Sequence, residues 1–322
     1  MWTGLAKSDK PHGMTSNTSP SANQVIPPPL PEVNGSNLVA VVLMITATMF
    51  IAATTVLAKA LGTTSLGAPL HPVQITHGRF VFAFLALCMT LPAFWQHLNT
   101  KPNIGLHIGR TSLGGSGVCL MFAAVAYIPL SDATAISFLN PVFGMALAAL
   151  LLGEKVGPWR WSAAAIALTG AFILLRPGPD SFQPAALLAL GAAFFLGVEL
   201  IFIKRLSGRE PMFQILLTNN FIGCIVASVA VIAFWQPPTV QQWIALAALG
   251  ALMACAQTCF VNAMKRAEAS FIVVFSYSTL VFATIYDLVI FDVMPDAISI
   301  LGAITILTGA LLLAWREGRA KL

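Results

Sequence analysis

The side chains in this sequence that could do chemistry sit in runs of residues that otherwise shun charge. Glu199, in "GVELIFIKRL", is a carboxylate able to hold a proton. Its ordinary role would be to pair with Lys204 or Arg205 at the end of the same run. His77 and Arg79 stand together in "ITHGRFVFAF". The imidazole could titrate near neutral pH, whereas the guanidinium needs a partner wherever it leaves water. Asn140 precedes Pro141, whose missing N–H frees a carbonyl one turn earlier for bending or for ligand binding. Ser276 and Tyr277 stand 136 residues later, at the related place of a second run. Gln257, Asn262, Asn219 and Asn220 add uncharged hydrogen-bonding groups. His77, Arg79, Asn140, Glu199, Gln257, Ser276 and Tyr277 are the residues expected to contact a substrate. Set against that, polar residues in such runs commonly glue helices together. Asp287, one turn from the end of its run, reads as snorkelling or capping an elbow. Cys88, Cys119, Cys224, Cys255 and Cys259 all lie in apolar runs without His or carboxylate at metal-ligand spacing, and read as small buried hydrophobes.

Those runs dominate the chain. Of 322 residues 57% are hydrophobic and 9% charged, with a mean hydropathy of +0.83; a soluble domain carries about 25% charged residues. A soluble fold of this size could not hide so much apolar surface, so lipid is the expected solvent. The net charge of +5 could suggest nucleic acid, but the basic residues are scattered between apolar stretches rather than gathered on one face. Nucleic-acid binding is therefore excluded. No P-loop, His-Glu-x-x-His or serine elbow is present, and no soluble domain could house a cofactor, so neither an enzyme nor a cofactor is expected.

A membrane helix needs about 20 apolar residues. Ten runs qualify: Leu38–Leu61, Val73–Trp95, Ile104–Ile128, Ala133–Leu152, Trp159–Leu175, Ala185–Ile203, Met212–Trp235, Val240–Asn262, Ser270–Phe291 and Ile298–Trp315. They are too long and continuous for barrel strands. Residues 1–37 are rich in Pro, Ser, Asn and Thr, read as a disordered cytoplasmic tail, and lack the pattern of a secretory signal. Residues 316–322 form a basic cytoplasmic tail. With the N-terminus inside, 14 Lys and Arg fall in inner segments, Lys101 and Arg110 among them, and two, Lys59 and Arg176, fall outside. Lys and Arg collect in cytoplasmic loops, so both termini are expected inside.

The chain also repeats itself. Leu168-Thr169-Gly170-Ala171 recurs as Leu307-Thr308-Gly309-Ala310, and Asp132-Ala133-Thr134 is echoed by Glu268-Ala269-Ser270. The offsets match half of a ten-span body. Five helices per half invert the second copy in the membrane, the arrangement of secondary transporters with a substrate site between the halves. Spans four and nine should then line the pathway, with Phe138, Phe143, Phe275 and Tyr277 suited to a substrate with a flat apolar part and polar ends. "LLGEKVGP" becomes a cytoplasmic elbow, with Pro158 in the first turn of the next helix, Glu154 facing its positive end and Lys155 supplying inward charge.

The stretch "AYIPLSDATAISFLNPVFGMALAALLLGEKVGPWRWSAAAIALTGAFILL" resembles the EamA type of the drug/metabolite transporter superfamily, and "AEASFIVVFSYSTLVFATIYDLVIFDVMPDAISILGAITILTGALLL" is similar to its second copy. The likeness spans Leu38 to Trp315. The second elbow departs from the family's Phe-Gly-Glu, reading Phe291-Asp292-Val293-Met294-Pro295-Asp296. The resemblance implies a ten-helix carrier in a bacterial-type inner membrane, working as monomer or homodimer among membrane lipids. Its substrate would be a small metabolite, an amino acid or similar amphipathic compound, moved outward by alternating access, with protons through Glu199 as one coupling ion. The rival readings are a lipid flippase of the same fold and an uptake carrier for a vitamin or nucleotide-like metabolite.

Overall fold

A computed structural model describes residues 35–94, 101–152, 157–176, 183–207, 209–264, 266 and 275–319. The expected N-terminal tail, the Glu154 and Lys155 part of the first elbow and residues 268–270 lie outside the described residues.

The described residues are helical throughout: α1 (Gly35–Gly62), α2 (Pro72–Phe94), α3 (Ile104–Val125), α4 (Leu130–Ser137), α5 (Asn140–Leu152), α6 (Pro158–Leu175), α7 (Ala186–Ser207), α8 (Met212–Val231), α9 (Val240–Met264), α10 (Ser278–Phe291) and α11 (Ala297–Arg319). Seven stretches are long and apolar enough to cross a membrane, one of them formed by α4 and α5 together. The shorter apolar helices Trp161–Leu175, Ser278–Phe291 and Ala297–Leu312 fall where the fifth, ninth and tenth spans are expected. The protein is a multi-pass membrane protein.

Local chemistry sets the ends. Pro158 opens α6 from an extended Gly157, since its missing N–H is not needed there. α10 stops where Asp292 turns left-handed at φ 53° and where its N–H and that of Val293 both reach the Asp287 carbonyl. Asp296 then caps α11, accepting from the Ser299 N–H at 2.9 Å and from Arg176 Nη2 at 2.6 Å. The Ser299 N–H, followed by its hydroxyl and by Arg176, holds the Asp296 carboxyl below its ordinary value.

The fourth span is not one helix. α4 ends at Ser137 and α5 begins at Asn140, because Pro141 cannot donate to the Ser137 carbonyl. The ninth is interrupted likewise, with residues 275 and 276 helical, Tyr277 in a turn and α10 starting at Ser278.

Packing follows the internal repeat. α1 packs on α9 and α7 on α3; α1 packs on α10 and α7 on α5; α2 packs on α9 and α8 on α3. α2 with α8, α4 with α10 and α6 with α11 pair across the halves. Apart from α4 with α10, whose repeat mate falls largely outside the described residues, each of these contacts has its repeat mate or is its own mate, as two copies about a twofold axis require. Small residues permit the closest of them. A Cβ at Gly170 would stand 2.6 Å from the Ile306 nitrogen, and one at Gly309 would stand 2.6 Å from the Ala163 carbonyl oxygen. The repeated Leu-Thr-Gly-Ala is thus the crossing of α6 with α11.

Candidate functional site

Glu199 sits in α7, eight residues before its end, and pairs across to α3 rather than with Arg205, one of the two partners the sequence suggests; the side chain of the other, Lys204, lies outside the described residues. Its Oε1 accepts from Arg110 Nε of α3 at 3.2 Å; Arg110 is buried at 8% side-chain exposure and Glu199 partly buried at 15%. Arg205 is exposed. Arg110, counted above among the inner loop charges, lies six residues inside α3, which leaves 13 in the inner segments. Its second contact is the Ile215 carbonyl of α8 at 3.4 Å. The Glu199 carboxylate rests on bare backbone, since a Cβ at Gly114 would meet it at 2.5 Å.

Arg79 of α2 completes the cluster, within electrostatic reach of both Glu199 and Arg110. It is 7% exposed, its guanidinium lies over the Phe80 ring at 4.9 Å, and its Nε is buried without a hydrogen-bond partner. A ladder of uncharged groups continues from there. Thr111 donates to Asn219 Oδ1 at 2.9 Å, and the adjacent Asn220 donates to Gln257 Oε1 at 3.2 Å. α2, α3, α7, α8 and α9 thus share one buried polar belt.

The remaining expected residues sit elsewhere. His77 bonds the Ser228 hydroxyl at 3.0 Å and meets Trp235 edge-on, near the end of α8 and apart from the cluster. Asn140 lies at the break of the fourth span, its carbonyl oxygen 2.7 Å from where a Gly197 Cβ would stand. Ser276 and Tyr277 form the break of the ninth span, and the two breaks touch, with the rings of Phe138 and Tyr277 4.9 Å apart at 80°. Phe143 meets Phe194 at 5.7 Å, and Phe275 packs by Ala40, Met44 and Ala263.

Beside the belt, between α2, α3 and α8, lies a cavity of about 390 Å³. Its walls include Phe80, Phe195, Thr76, Ser112, Ser116 and Cys119. None of the seven expected residues lines it, although Phe80 adjoins Arg79 and Thr76 adjoins His77.

Two further charged joints had no signal in the sequence, because their partners lie far apart in the chain. Lys59 Nζ meets Asp287 Oδ1 at 2.9 Å and the Phe291 ring at 4.3 Å, while Asp287 Oδ2 accepts from the Ser131 N–H at 2.8 Å. Asp287 is fully buried and therefore does not snorkel. At the other ends of the helices His107 Nε2 meets Glu210 Oε2 at 2.9 Å, and Glu210 also accepts from the Asn103 N–H and from Gln214. Desolvation pushes the Glu210 carboxyl up, but these bonds outweigh it and hold the group below its ordinary value.

The all-helical fold, with its long apolar spans and charge cluster between them, is that of a polytopic membrane protein. The EamA-like transporter family model matches residues 38–176 and again 183–315. The chain belongs to that family, and so to the drug/metabolite transporter superfamily. It is 31% identical to a riboflavin transporter of Vibrio cholerae over 70% of this chain and 76% of that protein. A Rickettsia bellii S-adenosylmethionine uptake transporter is 26% identical over 79% and 88%. The Pseudomonas aeruginosa pseudopaline exporter CntI is 24% identical over 67% and 76%.

Proposed function

We propose that the protein is a secondary transporter that moves a small amphipathic metabolite across a bacterial cytoplasmic membrane by alternating access. Ten helices in two inverted halves, with both termini inside, complete the reading. One observation carries it: a polar belt with three charged groups buried where helices of both halves meet, the position expected of a substrate site between inverted repeats. Arg79, Glu199 and Gln257 belong to that belt. Asn140, Ser276 and Tyr277 act at the two touching helix breaks, and His77 acts near the entrance.

The cavity beside the belt supports a substrate with a flat apolar part and polar ends, since its lining joins the aromatic Phe80 and Phe195 to Thr76, Ser112 and Ser116. Riboflavin and S-adenosylmethionine, named for two relatives, both join a flat ring system to hydrogen-bonding groups, so a compound of that shape is the first to test. Relatives are named for uptake and for export, and the export expected from the sequence is kept as the direction to test. Glu199, held by Arg110, serves as a fixed counter-charge in this reading rather than as a proton carrier.

Counterflow in liposomes tests it. Purified protein should exchange a labelled member of a pool of riboflavin, S-adenosylmethionine and amino acids saturably, and no exchange of any would refute the metabolite reading in favour of a lipid flippase. A pH gradient that drives accumulation in wild type but not in Glu199→Gln would make Glu199 the proton site.

A further inference from the structure

Arg79 has no counter-ion in direct contact. Among the described residues it forms no hydrogen bond and no ion pair, although it is 93% buried and seven residues inside α2. Two arginines and one carboxylate make up the cluster, and that carboxylate is engaged by Arg110 at 3.2 Å. One positive charge is left over in a place where charges find partners. Among the described residues, the helices around Arg79 offer no second acid. α2 packs on α3, α8 and α9, and none of these helices contains an Asp or Glu. The acids of α4 and α10 are committed elsewhere, Asp132 to the Ser299 hydroxyl at 2.9 Å and Asp287 to Lys59. Phe80 holds the guanidinium against its face and lines the 390 Å³ cavity with the same ring. A planar fork stacked on an aromatic ring is suited to take a carboxylate or phosphate through two parallel hydrogen bonds.

We propose that Arg79 anchors an anionic group, a carboxylate or phosphate, carried by the transported substrate, whose apolar body occupies the cavity beside Phe80. This rests on the transport reading above and narrows it to substrates with a negative group. Arg110 with Glu199 is then the permanent pair, and the substrate supplies the charge that Arg79 lacks.

Thermal melts of the purified protein in detergent, in anion-poor buffer, test the site without knowing the substrate. An arginine waiting for a ligand strains the empty protein, so Arg79→Gln should melt at the same temperature as wild type or higher. Acetate or inorganic phosphate should raise the wild-type melting temperature with saturation, with the apparent Kd at least tenfold weaker in Arg79→Gln and partly recovered in Arg79→Lys. Three results would overturn the proposal: an Arg79→Gln variant that melts well below wild type, which makes the arginine structural; no response to either anion; or stabilisation by chloride alone, which makes the site a halide site. Counterflow is read separately. A wild type that exchanges nothing yet still binds acetate or phosphate at Arg79 loses the transport reading and keeps the anion site.

Discussion

The Lys59–Asp287 joint makes a prediction whose two arms are unequal. At 2.9 Å two unit charges attract by about 6 kcal/mol at an effective dielectric of 20, before desolvation is set against it. Lys59→Met strands the Asp287 carboxylate, which has no exposed surface and keeps only the Ser131 N–H. Orphaning a buried charge costs about 3–5 kcal/mol. Asp287→Asn is milder. The Lys59 side chain keeps 12% exposure, lies three residues from the end of α1 and stays over the Phe291 ring. The ammonium can snorkel, so the loss should be about 1.5–3 kcal/mol, that of one hydrogen bond to a charged group. The double variant should cost little more than Asp287→Asn alone. Reversible unfolding in mixed detergent for the four proteins closes a double-mutant cycle. A Lys59→Met cost no larger than that of Asp287→Asn, or a coupling under about 0.5 kcal/mol, would sink the argument from burial.

Three shorter predictions follow. Gly170→Ala and Gly309→Ala should each lower stability, because the new methyl meets backbone at 2.6 Å, whereas Gly115→Ala, with Phe80 at 3.5 Å, should stay within about 0.5 kcal/mol of wild type; thermal melts of the three variants decide it. The Glu210 carboxyl lies below its ordinary 4.5, so its contribution is present above that pH and lost as pH falls through the folded value. Glu210→Gln should therefore melt lower at pH 7 yet lose less on going to pH 4, and equal pH slopes in variant and wild type would contradict this. Phe138→Ala should slow counterflow and lower the melting temperature, since it removes a ring contact worth about 0.5–1.5 kcal/mol beyond burial.

What could be read from the sequence was whatever the chain states locally. Pro158 marked a helix start and Pro141 a bend, and both signals act within one turn. Gly170 and Gly309 betrayed the repeat because two copies face the same close crossing. Long-range pairing was not legible. Arg110 was counted as a loop charge, since a tally by segments cannot see that residue 110 points at residue 199. His107 with Glu210 and Lys59 with Asp287 are separated by 103 and 228 residues, and a lone charge near the end of a run looks the same whether it snorkels or is locked. Glu199 was singled out correctly as a buried acid but given the wrong partner, because the nearer basic residues were on its own helix. His77 was grouped with Arg79 by sequence proximity, yet two residues turn about 200° around a helix and the imidazole faces Ser228.

The two touching breaks at Phe138 and Tyr277 have a mechanical meaning. A continuous rod carries a tilt at one end to the other, whereas a rod jointed at its middle lets each end swing alone. Both segments of the fourth span bear on α7, but α4 alone also bears on α10, so the two segments have only part of their neighbours in common. In the alternating-access reading proposed above, the touching rings of Phe138 and Tyr277 would serve as a shared pivot, about which one end of each span could tilt without the other.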